Sequence, residues 1–215
     1  MANMQPHYWN DAKKHLSANC PAMKQLIARY EGETLRARGD GFYTLLRSIV
    51  GQQISVKAAD AVWAKVEKAL TPLTPKKLLA TPDEALRACG LSASKVAYAR
   101  NVAEFYRTRG VKADYWKDHS DADVLAELVA IKGIGSWTAE MFLIFHLMRP
   151  DVFPVKDLGV LKAINLHLLE GDKRLAKDKW LKPKEYEALA TRWQPYRTVA
   201  TWYLWRALDP VPVAY

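Results

Sequence analysis

Residues 128–157, LVAIKGIGSWTAEMFLIFHLMRPDVFPVKD, restrict this chain more than any other stretch. Gly133-Ile134-Gly135 separates two segments whose apolar residues recur at helical spacing, so two helices must meet across a turn of very few residues. Val124, Leu125, Leu128 and Val129 share a face before the turn; Trp137, Met141, Ile144, Phe145 and Met148 share one after it. Glycine permits torsions and a closeness of approach that other residues refuse, and Ile134 between the glycines can tuck inward and stiffen the turn. Ser136 and Thr138 fall in the first turn of the second helix, where unbonded N–H groups and the helix dipole favour an anion. Such a turn presents backbone N–H groups to a phosphate, although a plain αα-turn uses glycine for geometry alone. Asp157 follows 22 positions after Gly135. A carboxylate shortly beyond a phosphate anchor points to chemistry on a nucleic acid rather than to simple binding.

Helical periodicity continues elsewhere. Asp11–Arg29 reads as helix interrupted at Pro21, Phe42–Val50 as a short helix ending near Gly51, and Val56–Leu70 as a helix capped by Ser55. Pro72 and Pro75 mark a loop, Thr74 and Thr81 are candidate caps for two short helices, and Gly90 closes one of them. Ser94–Gly110, Ala122–Ile131, Trp137–Met148, Asp157–Leu169, Pro183–Arg192 and Tyr196–Leu208 complete the series. No alternating strand and no internal repeat appears. The expected class is all-α, with many short helices rather than a long bundle.

Composition narrows the partner. Lys and Arg outnumber Asp and Glu by 32 to 23, a net charge of +9 that favours an anionic partner, nucleic acid foremost. Cys20 and Cys89 stand too far apart for a zinc or iron–sulfur site. The histidines at 7, 15, 119, 146 and 167 lack ligand spacing, so no catalytic metal is expected. No apolar run is long enough to span a bilayer and the first residues lack the order of a signal peptide, which gives the expectation of a cytoplasmic protein.

Three blocks, in order, carry a family resemblance: Ser48-Ile49-Val50-Gly51-Gln52-Gln53-Ile54-Ser55-Val56-Lys57-Ala58-Ala59, the glycine turn through Asp157, and Trp193-Gln194-Pro195-Tyr196-Arg197 with Trp205 behind it. Together they resemble the helix–hairpin–helix DNA glycosylases of the HhH-GPD superfamily, more narrowly the AlkA-type 3-methyladenine DNA glycosylases II. The resemblance implies two helical lobes around a DNA-binding cleft. Residues 41–148 would form a six-helix barrel ending in the helix–hairpin–helix, and 1–40 plus 149–215 the second lobe. Larger members add an N-terminal β domain, and none is expected ahead of the first helix here.

The implied activity is hydrolytic excision of alkylated purines, 3-methyladenine and 7-methylpurines, from double-stranded DNA in base excision repair. The expected partner is duplex DNA carrying damaged bases, bound by a monomer, with no membrane and no obligate protein partner. By resemblance Asp157 is the catalytic residue, an anion facing an oxocarbenium-like sugar; its ordinary role would be an N-cap, and the two are compatible. Lys156 departs from the AlkA pattern, which often has a second acid there. The lysine of strand-cleaving members would fall at Trp137, so the expected enzyme is monofunctional and Lys156 a phosphate contact beside Gly133, Gly135, Ser136 and Thr138.

A base inside a duplex must be flipped out to be reached, and the resemblance puts Gln53 at the wedge position with Gln52 and Ile54 beside it. Trp137 and Trp205 match aromatic pocket positions, with Trp202 and Met141 as further candidates; a tryptophan is otherwise more often core than pocket. A structural Na⁺ or K⁺ on the backbone carbonyls of Val129, Ile131 and Ile134 is common in the superfamily. The alternatives are a glycosylase for hypoxanthine or an oxidised purine, and a non-catalytic helix–hairpin–helix DNA-binding protein.

Overall fold

The computed structural model describes residues 5–37, 40–169 and 180–208. Among these, every regular element is helical and no strand occurs. The helices are α1 (Trp9–Asn19), α2 (Pro21–Arg29), α3 (Gly41–Gly51), α4 (Val56–Ala69), α5 (Pro75–Ala80), α6 (Asp83–Ala88), α7 (Ala93–Arg109), α8 (Asp121–Val129), α9 (Ser136–Phe145), α10 (Leu158–Leu168), α11 (Pro183–Ala190) and α12 (Arg197–Leu208), with a 3-10 turn at Thr191–Trp193. No described helix is long and apolar enough to cross a membrane.

Local chemistry sets the boundaries. Pro21 stands at the first position of α2, where a missing N–H costs nothing, so the chain breaks between α1 and α2 instead of kinking. Ser55, Thr74 and Ser92 each accept a backbone N–H from the third helical residue of α4, α5 and α7. Thr81, a candidate cap, does not cap α6. Its hydroxyl donates backwards to the Lys77 carbonyl at 2.8 Å, and Pro82 occupies the N-cap position with no side-chain bond. Gly110 ends α7 in the left-handed conformation. The α9 helix stops at Phe145 rather than reaching Met148, which lies outside it at φ 53°.

The described residues fall into two compact units, 40–147 and 5–37 with 148–169 and 180–208. In the first, α7 packs against α3 and α5, and α9 against α3 and α8. Arg47 of α3 is buried, ion-paired with Asp60 of α4, and its guanidinium lies 5.8 Å from the Trp63 ring centre. Trp63 in turn donates its indole N–H to the Tyr43 hydroxyl at 3.1 Å. This cation–π and hydrogen-bonded cluster ties α3 to α4 and so fixes the turn 52–55 between them.

In the second unit α12 packs on α10, α1 and α2. Trp9 of α1 meets Trp202 edge-on at 5.2 Å and Tyr203 at 5.7 Å. Arg206 forks onto Glu33 through Nε and Nη2, at 2.7 and 2.8 Å, and covers the Tyr30 ring at 4.8 Å. A planar guanidinium bonding two carboxylate oxygens at once fixes direction as well as distance.

Candidate functional site

The glycine turn is built from both sides. A reciprocal capping box starts α8: Asp123 N–H donates to the Ser120 hydroxyl at 3.2 Å, and the Ser120 N–H donates to the Asp123 carboxylate at 3.3 Å. The Ser120 hydroxyl also donates to that carboxylate, and these bonds hold the Asp123 carboxyl below its usual range. The chain then closes through Ile131 N–H to the Leu128 carbonyl at 3.0 Å and Ile134 N–H to the Ile131 carbonyl at 2.9 Å. Ile131 and Ile134 are buried and pin the turn to the core.

The two glycines answer to different needs. Gly133 has φ 104°, and a Cβ there would lie 2.2 Å from Cγ of Tyr98. The protein's own packing therefore requires glycine at 133. Gly135, the N-cap of α9, has an ordinary extended backbone, and no atom lies within 4 Å of the place a Cβ would take. Among the described residues, no packing contact demands a glycine at 135. The α9 terminus carries no side-chain cap, so its N–H groups and dipole suit an external anion.

The turn is held from behind by amides. Gln52, which caps the end of α3, donates from Nε2 to the Gly133 carbonyl at 3.1 Å and to the Thr138 hydroxyl at 3.2 Å. Asn101 of α7 donates to the Lys132 carbonyl at 2.9 Å. Lys95, whose ammonium reaches the Val50 carbonyl at 2.7 Å, is desolvated there and its pKa falls below the ordinary lysine value. Gln52→Ala should lower the unfolding free energy by about 1–2 kcal/mol, the worth of two partly buried hydrogen bonds, as read from denaturant melts.

Several expected site residues take other places. Gln52 turns inward to the hairpin, so its amide cannot serve as an outward wedge; Gln53 (φ 58°) and Ile54 (41 % exposed) are the outward residues of that turn. Thr138 is buried, and its hydroxyl accepts from Gln52. Met141 has no exposed surface and belongs to the core of the first unit. Trp202 is buried in the second unit with its ring edge-on to those of Trp9 and Tyr203. Ser136 and Trp137 are half-buried, and Gly135 is exposed. Of the three carbonyls expected to face a monovalent cation, that of Ile131 already accepts the Ile134 N–H, which leaves it one further lone pair.

In the second unit the chain from Arg149 to Asp157 is fastened to α12. Thr198 donates to the Arg149 carbonyl at 2.6 Å and accepts the Val152 N–H at 3.0 Å. Arg197 forks onto the Asp151 carboxylate, Nε to Oδ1 at 2.7 Å and Nη2 to Oδ2 at 2.9 Å, and also reaches the Asp151 carbonyl. Phe153 is buried with its ring edge-on to Trp193 at 6.0 Å. Through these contacts the Trp193–Arg197 block staples the loop that delivers Asp157.

Asp157 is the N-cap of α10 and is only 7 % exposed. Its Oδ1 accepts the Val160 N–H at 2.8 Å and the indole N–H of Trp205 at 3.0 Å. A carboxyl group thus sits at the N-terminus of a helix with two N–H donors on a single oxygen, an arrangement that fixes its direction. Trp205 contributes its N–H edge to this arrangement. Lys156, next in the chain, is exposed.

A glycine hairpin in the first unit and a fixed, buried aspartate in the second accompany a family match: residues 46–193, more than half of the chain, match the model of the HhH-GPD superfamily base excision DNA repair proteins. The chain belongs to the HhH-GPD superfamily. The matched segment contains the 52–54 turn, the hairpin and Asp157, and ends before α12. HhH-GPD relatives agree over nearly the whole chain. DNA-3-methyladenine glycosylase 1 of Schizosaccharomyces pombe is 32 % identical over 203 residues, 91 % of this chain and 86 % of the relative. The crystal structure of a DNA-3-methyladenine glycosidase from Bacillus halodurans superposes with a TM-score of 0.76 at 33 % identity, covering 96 % of this chain and 92 % of that one. The S. pombe 3-methyladenine DNA glycosylase in complex with abasic DNA superposes with a TM-score of 0.77 at 26 % identity, covering 95 % of this chain and all of that one.

Proposed function

We propose that this protein is a monofunctional DNA glycosylase that flips alkylated purines, 3-methyladenine and 7-methylpurines, out of duplex DNA and releases them hydrolytically. The observation that carries the reading is the buried carboxylate of Asp157, held by the α10 N-terminus and the Trp205 indole, in a chain of this superfamily. Its similarity to proteins named 3-methyladenine glycosylases supports the substrate class.

Alkylation at N3 or N7 places positive charge on the purine and makes it a good leaving group. Departure of the base leaves charge on the deoxyribose, an oxocarbenium-like transition state. A fixed anion next to that sugar lowers the barrier, because its field acts where charge develops and needs no reorganisation. Asp157 supplies the anion and orients the attacking water, whose oxygen bonds to C1′ and whose extra proton passes to solvent as the base leaves with the electron pair of the glycosidic bond. Gln53 and Ile54, exposed on the 52–55 turn, fill the space left in the stack. Trp137 is assigned to the face of the electron-poor base. The open approach at Gly135 and the uncapped α9 terminus take a backbone phosphate, with Lys156 as a second phosphate contact.

Incubation with dimethyl-sulfate-treated duplex and chromatography of the released bases tests the proposal. Free 3-methyladenine should appear, with strands that break only on later alkali treatment. Duplex binding without base release would favour the non-catalytic reading, and release of hypoxanthine or an oxidised purine instead would change the substrate. Gly135→Ala should leave the melting temperature within about 1 °C, since its methyl meets nothing, and weaken duplex affinity roughly tenfold, equivalent to one good phosphate contact of about 1.4 kcal/mol. Fluorescence anisotropy against the same duplex measures it.

A further inference from the structure

Gly159, the second residue of α10, is half-buried and has no left-handed backbone to explain it. Alanine is the better helix former at a position of ordinary helical geometry, so conformation alone argues against glycine there. Space argues for it. A Cβ at 159 would lie 3.1 Å from Oδ1 of Asp157, 3.5 Å from Cδ1 of Trp205 and 3.7 Å from its Nε1. Those atoms belong to the two partners of the indole–carboxylate hydrogen bond.

We propose that Gly159 is a positioning residue for the Asp157 carboxylate: its missing side chain is the gap in which Oδ1 meets the Trp205 N–H. A methyl placed at 3.1 Å from Oδ1 must displace the carboxylate or the indole by a few tenths of an ångström. A shift of that size, shared between a side chain and a ring, hardly disturbs the fold. Electrostatic stabilisation of a transition state is far less tolerant, since productive geometry is held to about half an ångström and misplacement by about one ångström costs on the order of a hundredfold in rate. The proposal rests on Asp157 being the group that faces the reacting sugar.

Four readouts on Gly159→Ala test it. Under single-turnover conditions with enzyme in excess over methylated duplex, the first-order rate of base release should fall roughly 3- to 10-fold. The dissociation constant for a duplex carrying a tetrahydrofuran abasic analogue should stay within about twofold, and the melting temperature should be unchanged or higher. The Trp205 indole ¹H–¹⁵N signal, assigned by its loss in Trp205→Phe, should move. In the Trp205→Phe background, where the indole N–H is already gone, adding Gly159→Ala should cost much less than it does alone.

An unchanged release rate, or a parallel loss of melting temperature and duplex affinity, overturns the positioning role. Full additivity with Trp205→Phe overturns it too. Asp157→Asn in the same assay separates the two levels. If Asp157→Asn abolishes release while Gly159→Ala keeps the wild-type rate, the role of Gly159 falls and that of Asp157 stands. If Asp157→Asn releases base as the wild type does, both fall.

Discussion

Asp157→Asn should reduce base release from methylated duplex by about three orders of magnitude while leaving the fold in place. Asparagine keeps the shape of aspartate and an acceptor oxygen, so it can still receive the Val160 N–H and the Trp205 indole N–H. The α10 cap therefore survives, and melting should move by no more than a few degrees. What disappears is a full negative charge. At about 4 Å from a developing cation, with an effective dielectric near 20, that charge is worth about 4 kcal/mol, or roughly a thousandfold in rate. Affinity for a duplex with an abasic analogue should be retained, because the hairpin contacts are untouched. Single-turnover chromatography of the freed base, paired with anisotropy, reads both quantities. Wild-type release by Asp157→Asn would exclude the carboxylate as the group that stabilises the sugar cation.

The second large effect lies in the other unit. Gly133→Ala should destabilise the protein by about 3–5 kcal/mol. One share is the backbone: φ 104° lies well beyond the small left-handed region open to other residues, and holding alanine there costs about 1–3 kcal/mol. The other share is steric. The new Cβ would lie 2.2 Å from Cγ and 2.6 Å from Cβ of Tyr98, atoms near the root of that side chain which cannot swing away, and overpacking adds about 1–3 kcal/mol. For a chain of this size the sum lowers the melting temperature by roughly 10 °C. Combining Gly133→Ala with Tyr98→Ala should recover the steric share and not the backbone share. A melting temperature within about 2 °C of wild type for Gly133→Ala alone would show that the hairpin adopts another conformation. The contrast with Gly135→Ala, expected to spare the fold, separates a glycine needed by the chain from one that leaves room for a ligand.

How far the sequence could be read depends on the range of each interaction. Helices announce themselves through residues three and four apart, so α3, α4, α7, α8, α10 and α12 follow from apolar spacing, and Ser55 and Thr74 cap as their positions imply. Thr81 misleads because a threonine between two short helices can bond backwards as well as forwards, and here it donates to Lys77. The hairpin is legible because two glycines around an isoleucine have few structural solutions.

The supports of the site are not local. Gln52 bonds residues 81 and 86 positions away, Arg197 reaches Asp151 across 46, and Trp205 reaches Asp157 across 48. No spacing rule reports such pairs. Trp202 and Trp205 show the limit well. They lie one turn apart on α12, yet one is packed against Trp9 and the other donates to the carboxylate, and only the packing of α12 on α1 and α10 decides which does what. Gly159 is invisible for a similar reason, since its role is an empty volume next to two distant side chains.

The fastening of the aspartate loop to α12 also imposes an order in time. The hairpin and the loop leave the ribosome before α12, the last described helix, which carries Arg197 and Trp205. A nascent chain that has released residues 40–147 already holds the elements assigned to gripping a phosphate, but its carboxylate gains the Arg197 staple and the Trp205 hydrogen bond only once α12 has cleared the exit tunnel. A copy that stops short of α12 therefore lacks both the Arg197 fork on Asp151 and the indole N–H on Asp157.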